Sequence, residues 1–256
     1  MTIGAVIVTH NSASTIQTCI QSLLDEGITD IIVVDSNSSD NTANILRTQK
    51  SKTILLRENK GFGYAANKGA RVLNTDYVLF LNPDAYIQKG FAASILDTFA
   101  KDLKTGIVGG LLVDATGVPE QSSYGNTITM FEMFVRQFHQ NIIPNKPASV
   151  GWVSGGALVI QRKLFQDIGG FDESFFLYWE DVDICRRVHE SGFAVYVDPN
   201  ARATHLRGAS SKDLKQKTAL YDASANRYFQ KYYPPLLCHI HLVMRKLYRR
   251  LRPFSR

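Results

Sequence analysis

Cysteine is scarce in this chain of 256 residues: Cys19, Cys185 and Cys238 are odd in number and no two form a CxxC pair. That argues against a disulfide scaffold and a thiolate metal site, and for a reducing compartment. The first residues lack a basic stretch leading into an apolar segment, because Val6, Ile7 and Val8 give way at once to Thr9, His10 and Asn11. No export signal is expected from them. Glycine is missing where a dinucleotide fold needs GxGxxG, since the first apolar run is followed by Thr9-His10-Asn11-Ser12-Ala13. The similar piece Asn59-Lys60-Gly61-Phe62-Gly63 lacks the third glycine, and nothing matches GxxxxGK[ST]. NAD- and ATP-binding readings lose their main support. Repeats and low-complexity tracts are absent as well.

Acidic residues are missing after Asp222, whereas Arg227, Lys231, Arg245, Lys246, Arg249, Arg250, Arg252 and Arg256 are all basic. Without those 8, 21 basic residues stand against 23 acidic ones, so the formal charge of +6 belongs to the C-terminal end. Nucleic acid is therefore not an expected partner of the folded part. The remaining composition, 45% apolar and 20% charged, is that of a folded protein, and the length suits one large α/β domain.

Apolar runs alternate with helical patterns through the first half. Ala5 to Val8 reads as a strand, with Ile16, Cys19, Ile20, Leu23 and Leu24 at helical spacing after it and Asn11 or Ser12 as the cap. Ile31 to Val34, Thr53 to Leu56 and Tyr77 to Leu81 are further strands, separated by helices around Ala43 and Leu46 and around Ala65 to Leu73. Near-continuous apolar strands predict a mostly parallel sheet with helices on both faces, and ligands bind such sheets at the strands' carboxyl edge. Polar loops at 9–12, 35–40, 58–61 and 82–84 fall there. Farther on, a helix is expected around Phe91 to Phe99, a strand over Ile107 to Val113, and an insertion or lid with a short helix near Phe131 and Phe134 within 114–149. Trp152 to Ile160 reads as a strand interrupted by Ser154-Gly155-Gly156, a bulge or a place where a ligand nears the backbone. A charged helix over 181–190, a strand over Phe193 to Val197 and a helix over 213–231 complete the pattern.

Several polar residues could carry chemistry, each with a plainer alternative. Asp35, at a strand end, could accept hydrogen bonds from a ribose or a base, or it could cap the next helix together with Asp40. Asp84, stiffened by Pro83, could hold a divalent cation bridging a diphosphate, or Asn82-Pro83-Asp84 could simply be a turn. Glu180, Asp181 and Asp183 could be a solvated helix start with Asp183 paired to Arg187. The bulky run Phe175-Phe176-Leu177-Tyr178-Trp179 leads straight into them, however, and partial burial makes a carboxylate a better base. Aromatic rings beside a carboxylate also make a floor for a sugar. His205 and His10 could be ligands or structural.

In order along residues 3 to 210, five segments resemble the family 2 glycosyltransferases of GT-A fold, and their bacterial rhamnosyltransferase branch most. They are Val6-Ile-Val-Thr-His-Asn11, Val33-Val-Asp-Ser-Asn-Ser-Ser-Asp40, Asn59-Lys-Gly-Phe-Gly-Tyr-Ala-Ala-Asn67, Phe80-Leu-Asn-Pro-Asp84, and the series from Trp152 through Gly169-Gly-Phe-Asp-Glu173 to Asp183. The resemblance implies that Thr9, Asn11, Asp35 and Asn37 hold the nucleotide and that Asn59, Gly61 and Phe62 close over nucleotide and sugar. It implies Mg²⁺ or Mn²⁺ on Asp84 and His205, with asparagine at position 82 in place of the first aspartate of the family's DxD motif. It makes Asp181 the catalytic base and Glu180 the neighbour that shapes the acceptor site. The implied reaction is an inverting transfer from a nucleotide-diphospho-sugar, dTDP-L-rhamnose first, to a hydroxyl of a cell-surface or lipid-linked glycan. Transfer of galactofuranose or another hexose from a UDP-sugar is the alternative, and a non-catalytic sugar-nucleotide or glycan-binding protein is the alternative of another class. A nucleotidyltransferase would need a glycine-rich basic loop where Ser12-Ala13-Ser14-Thr15 stands.

The expected organisation is a GT-A domain over 1–232 and a basic amphipathic extension over 233–256. Leu236, Leu237, Ile240, Leu242, Val243, Leu247 and Leu251 supply an apolar side after Pro234-Pro235, and the basic residues beyond Met244 supply charge. That combination suits an anionic membrane surface and is too short and interrupted to span a bilayer. The enzyme is accordingly expected at the inner, cytoplasmic face of the cell membrane; packing of Leu236 to Met244 on the domain as a closing helix is the other reading. Co-sedimentation with anionic vesicles should retain the full chain in low salt and lose it in high salt or after truncation at Pro235; equal behaviour of both forms would remove the anchor.

Overall fold

The computed structural model describes residues 1–129, 141–206, 214–240 and 243. The expected helix near Phe131 and Phe134 and the basic residues beyond Met244 lie outside these. The N-terminal half alternates β1 (Ile3–Thr9), α1 (Ile16–Asp25), β2 (Ile31–Asp35), α2 (Thr42–Leu46), β3 (Lys52–Leu55), α3 (Phe62–Ala70) and β4 (Tyr77–Leu81). It continues with β5 (Ala85–Ile87), α4 (Phe91–Lys101), β6 (Thr105–Val113), β7 (Tyr124–Gly125), β8 (Ala148–Ser149), β9 (Trp152–Val153) and β10 (Ala157–Gln161). Last come α5 (Arg162–Asp167), α6 (Glu180–Glu190), β11 (Ala194–His205) and α7 (Leu214–Tyr232).

Nine of the described strands form one sheet in the order β3-β2-β1-β4-β10-β6-β11-β5, with β8 beside β11. β3, β2, β1 and β4 are parallel, as the alternating pattern requires. Beyond them the sheet is mixed: β10 runs antiparallel to both β4 and β6, β11 is parallel to β6, and β5 and β8 are antiparallel to β11. Side chains alternate between the two faces. Ala5, Ile7, Ile31 and Val33 join α1 and α4 on one face, while Val6, Ile32 and Val34 join α3, α5, α6 and α7 on the other. Both faces are covered, so strands such as β6 are buried at every position. Each fully buried aliphatic side chain of α1, Ile16, Ile20 and Leu23 among them, contributes roughly 1.5–3 kcal/mol. Gly69 lets α3 lie close on β1, because a Cβ there would stand 2.6 Å from Cγ1 of Val6.

Two local expectations are corrected. The N-cap of α1 is Thr15, with no side-chain cap bond, instead of Asn11 or Ser12. Ser12 contributes only its carbonyl, which accepts from Thr15 and Ile16 N–H, and Asn11 is engaged across loops instead. The apolar run from Trp152 is two strands rather than one interrupted strand. β9 pairs with β7 in a separate two-stranded sheet and β10 enters the main one, so Ser154-Gly155-Gly156 carries the chain between sheets.

Helix α7 locks the second half together. Asp183 of α6 is fully buried and accepts hydrogen bonds from Arg187 Nε at 2.8 Å, Lys231 Nζ at 2.6 Å and Tyr232 Oη at 2.8 Å. Lys231 also reaches Asp172 at 2.7 Å; burial works against that charge, but Lys231 and Ser174 outweigh it and pull the carboxyl down to about 2. The packed core runs on to Cys238, so truncation at Pro235 also strips a core residue, and exchanging the terminal arginines for glutamine tests the charge without that loss. Removing one partner of a buried ion pair leaves the other uncompensated. Asp183→Asn should cost about 3 kcal/mol and lower the urea midpoint with little change in m, whereas Lys231→Met, whose ammonium is partly solvated, should cost about 1 kcal/mol. Unchanged midpoints in both variants would show that α7 is held by its aromatic contacts alone.

Candidate active site

The loops at the carboxyl ends of β1 and β2 are stitched together. Thr9 pairs with Asp35 in the parallel register, and Ser36 N–H donates to the Thr9 carbonyl at 2.8 Å. Asn11, with φ of 55°, accepts on Oδ1 from the backbone N–H of Ser39 at 2.7 Å and of Asp40 at 3.2 Å. His10 Nδ1 donates to the Ser36 carbonyl at 2.9 Å, which gives that histidine a structural role. The buried Asp35 accepts from Ser38, through its N–H at 3.3 Å and its hydroxyl, and does not cap α2. The N-cap of α2 is Asn41, with no side-chain cap bond; Asp40 just before it accepts from Thr42 N–H at 2.9 Å and Ala13 N–H at 3.1 Å. Burial opposes its charge, yet a bond from the Thr42 hydroxyl and these two prevail and hold its carboxyl below the usual range. Thr9 Oγ1 is buried with no hydrogen-bond partner. Asn37 is exposed in the left-handed region, with φ of 61°, which asparagine tolerates.

Across the edge, Asn59 Oδ1 accepts from Gly61 N–H at 3.0 Å and sets the turn into α3. Gly61 has φ of 96°, and a Cβ on it would lie 2.4 Å from the carbonyl oxygen of Phe176. Only glycine fits that approach. Phe62 N–H then donates to the same Phe176 carbonyl at 2.8 Å, and Asn67 bonds both the N–H and the carbonyl of Phe171 at 2.9 Å. The segment 171–176 is thereby fastened to α3.

Asp84 lies beyond β4 and is buried. The pairing of β5 with β11 sets His205 opposite Ala85, which brings His205 Nε2 to 3.2 Å from Asp84 Oδ1 and 3.4 Å from Asn82 Nδ2. His205 Nδ1 is 3.2 Å from Oε1 of Glu120. Burial disfavours the imidazolium, but the bonds to Asp84 and Glu120 outweigh it and raise the group to about 9. Among the described residues no group of three His, Cys, Asp or Glu side chains could hold a metal ion by itself. Ligand atoms at ~2.1 Å on neighbouring octahedral positions stand ~3 Å apart, and Mg²⁺ is commonly bound by one or two carboxylates plus phosphates. Asp84 is a carboxylate of that kind, His205 stands beside it at 3.2 Å, and Glu120 orients the ring from behind.

Asp181, at the start of α6, accepts on Oδ2 from Gly155 N–H at 3.0 Å and on Oδ1 from Val182 N–H at 2.8 Å. One residue on, the Gly156 carbonyl accepts from Asn82 N–H at 3.1 Å, so the glycine pair links the Asp181 helix start to the Asp84 turn. The expected close approach at these glycines is thus made by the protein's own carboxylate. Glu180 is buried, and its Oε2 has no hydrogen-bond partner. Burial first, then the neighbouring Asp181 and Asp183, pushes its carboxyl well above the usual range. The chain reaches this pair through Tyr178 and Trp179, with φ of 70° and 69°, a strained region for aromatic residues.

The residues singled out in the sequence stand at strand ends, at helix starts and in the loops between them, while Glu120, Ser38 and Asn67 were missed as site or supporting residues. Glu120 is 85 positions from His205 and carries no local signal.

A mixed sheet covered on both faces, with polar loops and two acidic centres along one edge, is the architecture of a GT-A glycosyltransferase, an enzyme that moves a sugar from a nucleotide-sugar to an acceptor. The model described as "Glycosyl transferase family 2" matches residues 5–169, and the chain belongs to that family. A second model, "N-terminal domain of galactosyltransferase", matches residues 136–208. The chain is 28% identical to the N-acetylglucosaminyl-diphospho-decaprenol L-rhamnosyltransferase of Mycobacterium tuberculosis, covering 74% of this chain and 70% of that one. It is 25% identical to rhamnosyltransferase WbbL of Escherichia coli, covering 83% and 86%. Among solved structures it resembles the mannosyltransferase PcManGT of Pyrobaculum calidifontis with GDP-Man and Mn²⁺, at a TM-score of 0.64 and 17% identity over 93% of this chain and 68% of that one. It also resembles GalNAc-T7 with UDP, GalNAc and Mn²⁺, at a TM-score of 0.63 and 17% identity over 87% of this chain and 48% of that one.

Proposed function

We propose that the protein is an inverting, divalent-cation-dependent rhamnosyltransferase that uses dTDP-L-rhamnose and acts on a hydroxyl of a lipid-linked or cell-surface glycan. The observation carrying this reading is the link through Gly155 and Gly156 between the Asp84–His205 pair and Asp181. The choice of rhamnose and of a lipid carrier rests on the names of the Mycobacterium tuberculosis and Escherichia coli relatives. A galactosyl donor is the second reading, favoured by the galactosyltransferase model over residues 136–208.

In this mechanism Asp35, with Thr9, Asn11 and Asn37 around it, holds the nucleoside, and Asn59, Gly61 and Phe62 line the approach of the sugar. Asp84 and His205, the latter giving up its Nε2 proton, would hold Mg²⁺ or Mn²⁺, which would supply positive charge for the departing diphosphate. Asp181 takes the proton of the acceptor hydroxyl as that oxygen bonds to the anomeric carbon, on the face opposite the bond to the diphosphate. One displacement inverts the centre. Glu180, whose carboxyl is pushed upward by burial and its acidic neighbours, lies beside the base and shapes the acceptor site.

The C-terminal segment suits attachment to the inner face of an anionic membrane, where a lipid-carried acceptor is found. Leu236, Ile240 and Val243 are 71%, 43% and 51% exposed, an apolar stripe that an interface would cover. No helix among the described residues is long and apolar enough to cross a membrane.

Asp181→Asn should abolish transfer, at least ~10²-fold in kcat, with donor affinity nearly unchanged. A variant keeping more than about a tenth of wild-type turnover would exclude Asp181 as base. Calorimetry should show tight binding of dTDP-L-rhamnose with Mn²⁺, a large loss on adding EDTA and a similar loss in Asp84→Ala. Unchanged affinity in both would remove the cation from the mechanism, and preference for a UDP-hexose would replace the donor.

A further inference from the structure

Two aromatic side chains stand in or near solvent close to the acid pair, and one of them comes from a helix beyond the matched family model. Tyr221 is 39% exposed and Tyr178 is half-buried. An aromatic cluster open to solvent at the edge of a site is a surface that a ligand can cover. Tyr178 lies three residues before Asp181, a stretch spanning at most ~10 Å. Its phenol feels burial and the Glu180 carboxyl, both of which push it up, so it remains a neutral donor near that acid.

Tyr221 belongs to α7, outside residues 5–169. Its ring centroid lies 5.9 Å from that of Tyr178 and 5.7 Å from that of Trp179, both in tilted geometry. The contact is not left to side-chain chance. Ser224, one turn along α7, donates to the Leu177 carbonyl at 2.7 Å, and Lys231 holds the far end of the helix on Asp172 and Asp183. Trp179 is buried under the platform against Tyr228 and Phe229, which fixes its height.

We propose that Tyr221 of α7, with Tyr178, forms the stacking platform for the acceptor's terminal sugar, so that the C-terminal helix determines acceptor specificity. A pyranose offers an apolar C–H face to such rings while its hydroxyl edge points toward Asp181 and Glu180. The donor side is already occupied by the loops at Thr9, Asp35 and Gly61, which leaves the aromatic side for the acceptor. This rests on the glycosyl-transfer reading with Asp181 as base.

The test uses the full chain, dTDP-L-rhamnose and a short-chain N-acetylglucosaminyl-diphospho-lipid as acceptor probe. Tyr221→Ala should raise the acceptor KM about tenfold and leave donor affinity by calorimetry unchanged; Tyr221→Phe should restore the wild-type KM, because the ring does the stacking. Tyr221→Leu, which keeps bulk without a ring, should behave like Tyr221→Ala at a melting temperature close to wild type. An unaltered acceptor KM in Tyr221→Ala and Tyr221→Leu, or an equal loss of donor affinity, overturns the platform. Failure of the wild-type chain to transfer any sugar to the probe would instead count against the functional reading itself.

Discussion

Asp183 is a carboxylate with no exposed surface, and the second half of the molecule is arranged around supplying it with donors. Arg187 from its own helix and Lys231 and Tyr232 from α7 all donate to it. A buried charge left without partners costs several kcal/mol, so α7 is tied to α6 at this point and not free to slide. The consequence is felt two residues earlier, at Asp181. Lys231 also binds Asp172, so the same cation holds both ends of the aromatic segment that leads into α6.

That segment is under close constraint on its other side as well. The Gly61 approach to Phe176 leaves no room for a side chain, and Asn67 brackets the backbone of Phe171. Two successive aromatic residues, Tyr178 and Trp179, take left-handed backbone angles between these fixed points and Glu180. Strain of about 1–3 kcal/mol at such a residue persists only where the surroundings over-determine it. Here the helix start is pinned by Asp183, and the loop is pinned by α3. Tyr178 and Trp179 accept the strain, and Glu180 and Asp181 are set side by side as a result. Their environments differ: Asp181 accepts two backbone N–H bonds, whereas Glu180 is buried with an unpartnered oxygen, and burial with its acidic neighbours pushes its carboxyl up.

Farther along the same edge the carboxylates also take different parts. Asp40 holds loops together, while Asp35 sits at the strand end beside the unpartnered hydroxyl of Thr9. Asp84, His205 and Glu120 form a chain of contacts in which the imidazole stands between two acids. The two ends of that chain come from 120 and 84, and only the pairing of β11 with β5 and β6 unites them.

The alternation of apolar runs and helical spacing determined the parallel strands β1 to β4, the helices between them and the edge at which polar loops gather. These are local consequences of side-chain period, and the loop residues Asp35, Asn59, Gly61 and Asp84 were legible with them. The direction of β10, the splitting of the run at Trp152 into two sheets, and the partnership of His205 with Glu120 were not, because strand pairing joins residues far apart and leaves no periodic trace. The Asp183–Arg187 pair could be read from its spacing of four; the arrival of Lys231 and Tyr232 on the same carboxylate could not. Likewise the aromatic run at 175–179 was visible as a row of letters, but which rings are buried and which face solvent beside Tyr221 was decided by the docking of α7. Sequence period fixes what each element must bury, and tertiary packing alone chooses which distant side chains bring the carboxylates, their donors and the exposed rings to the shared edge.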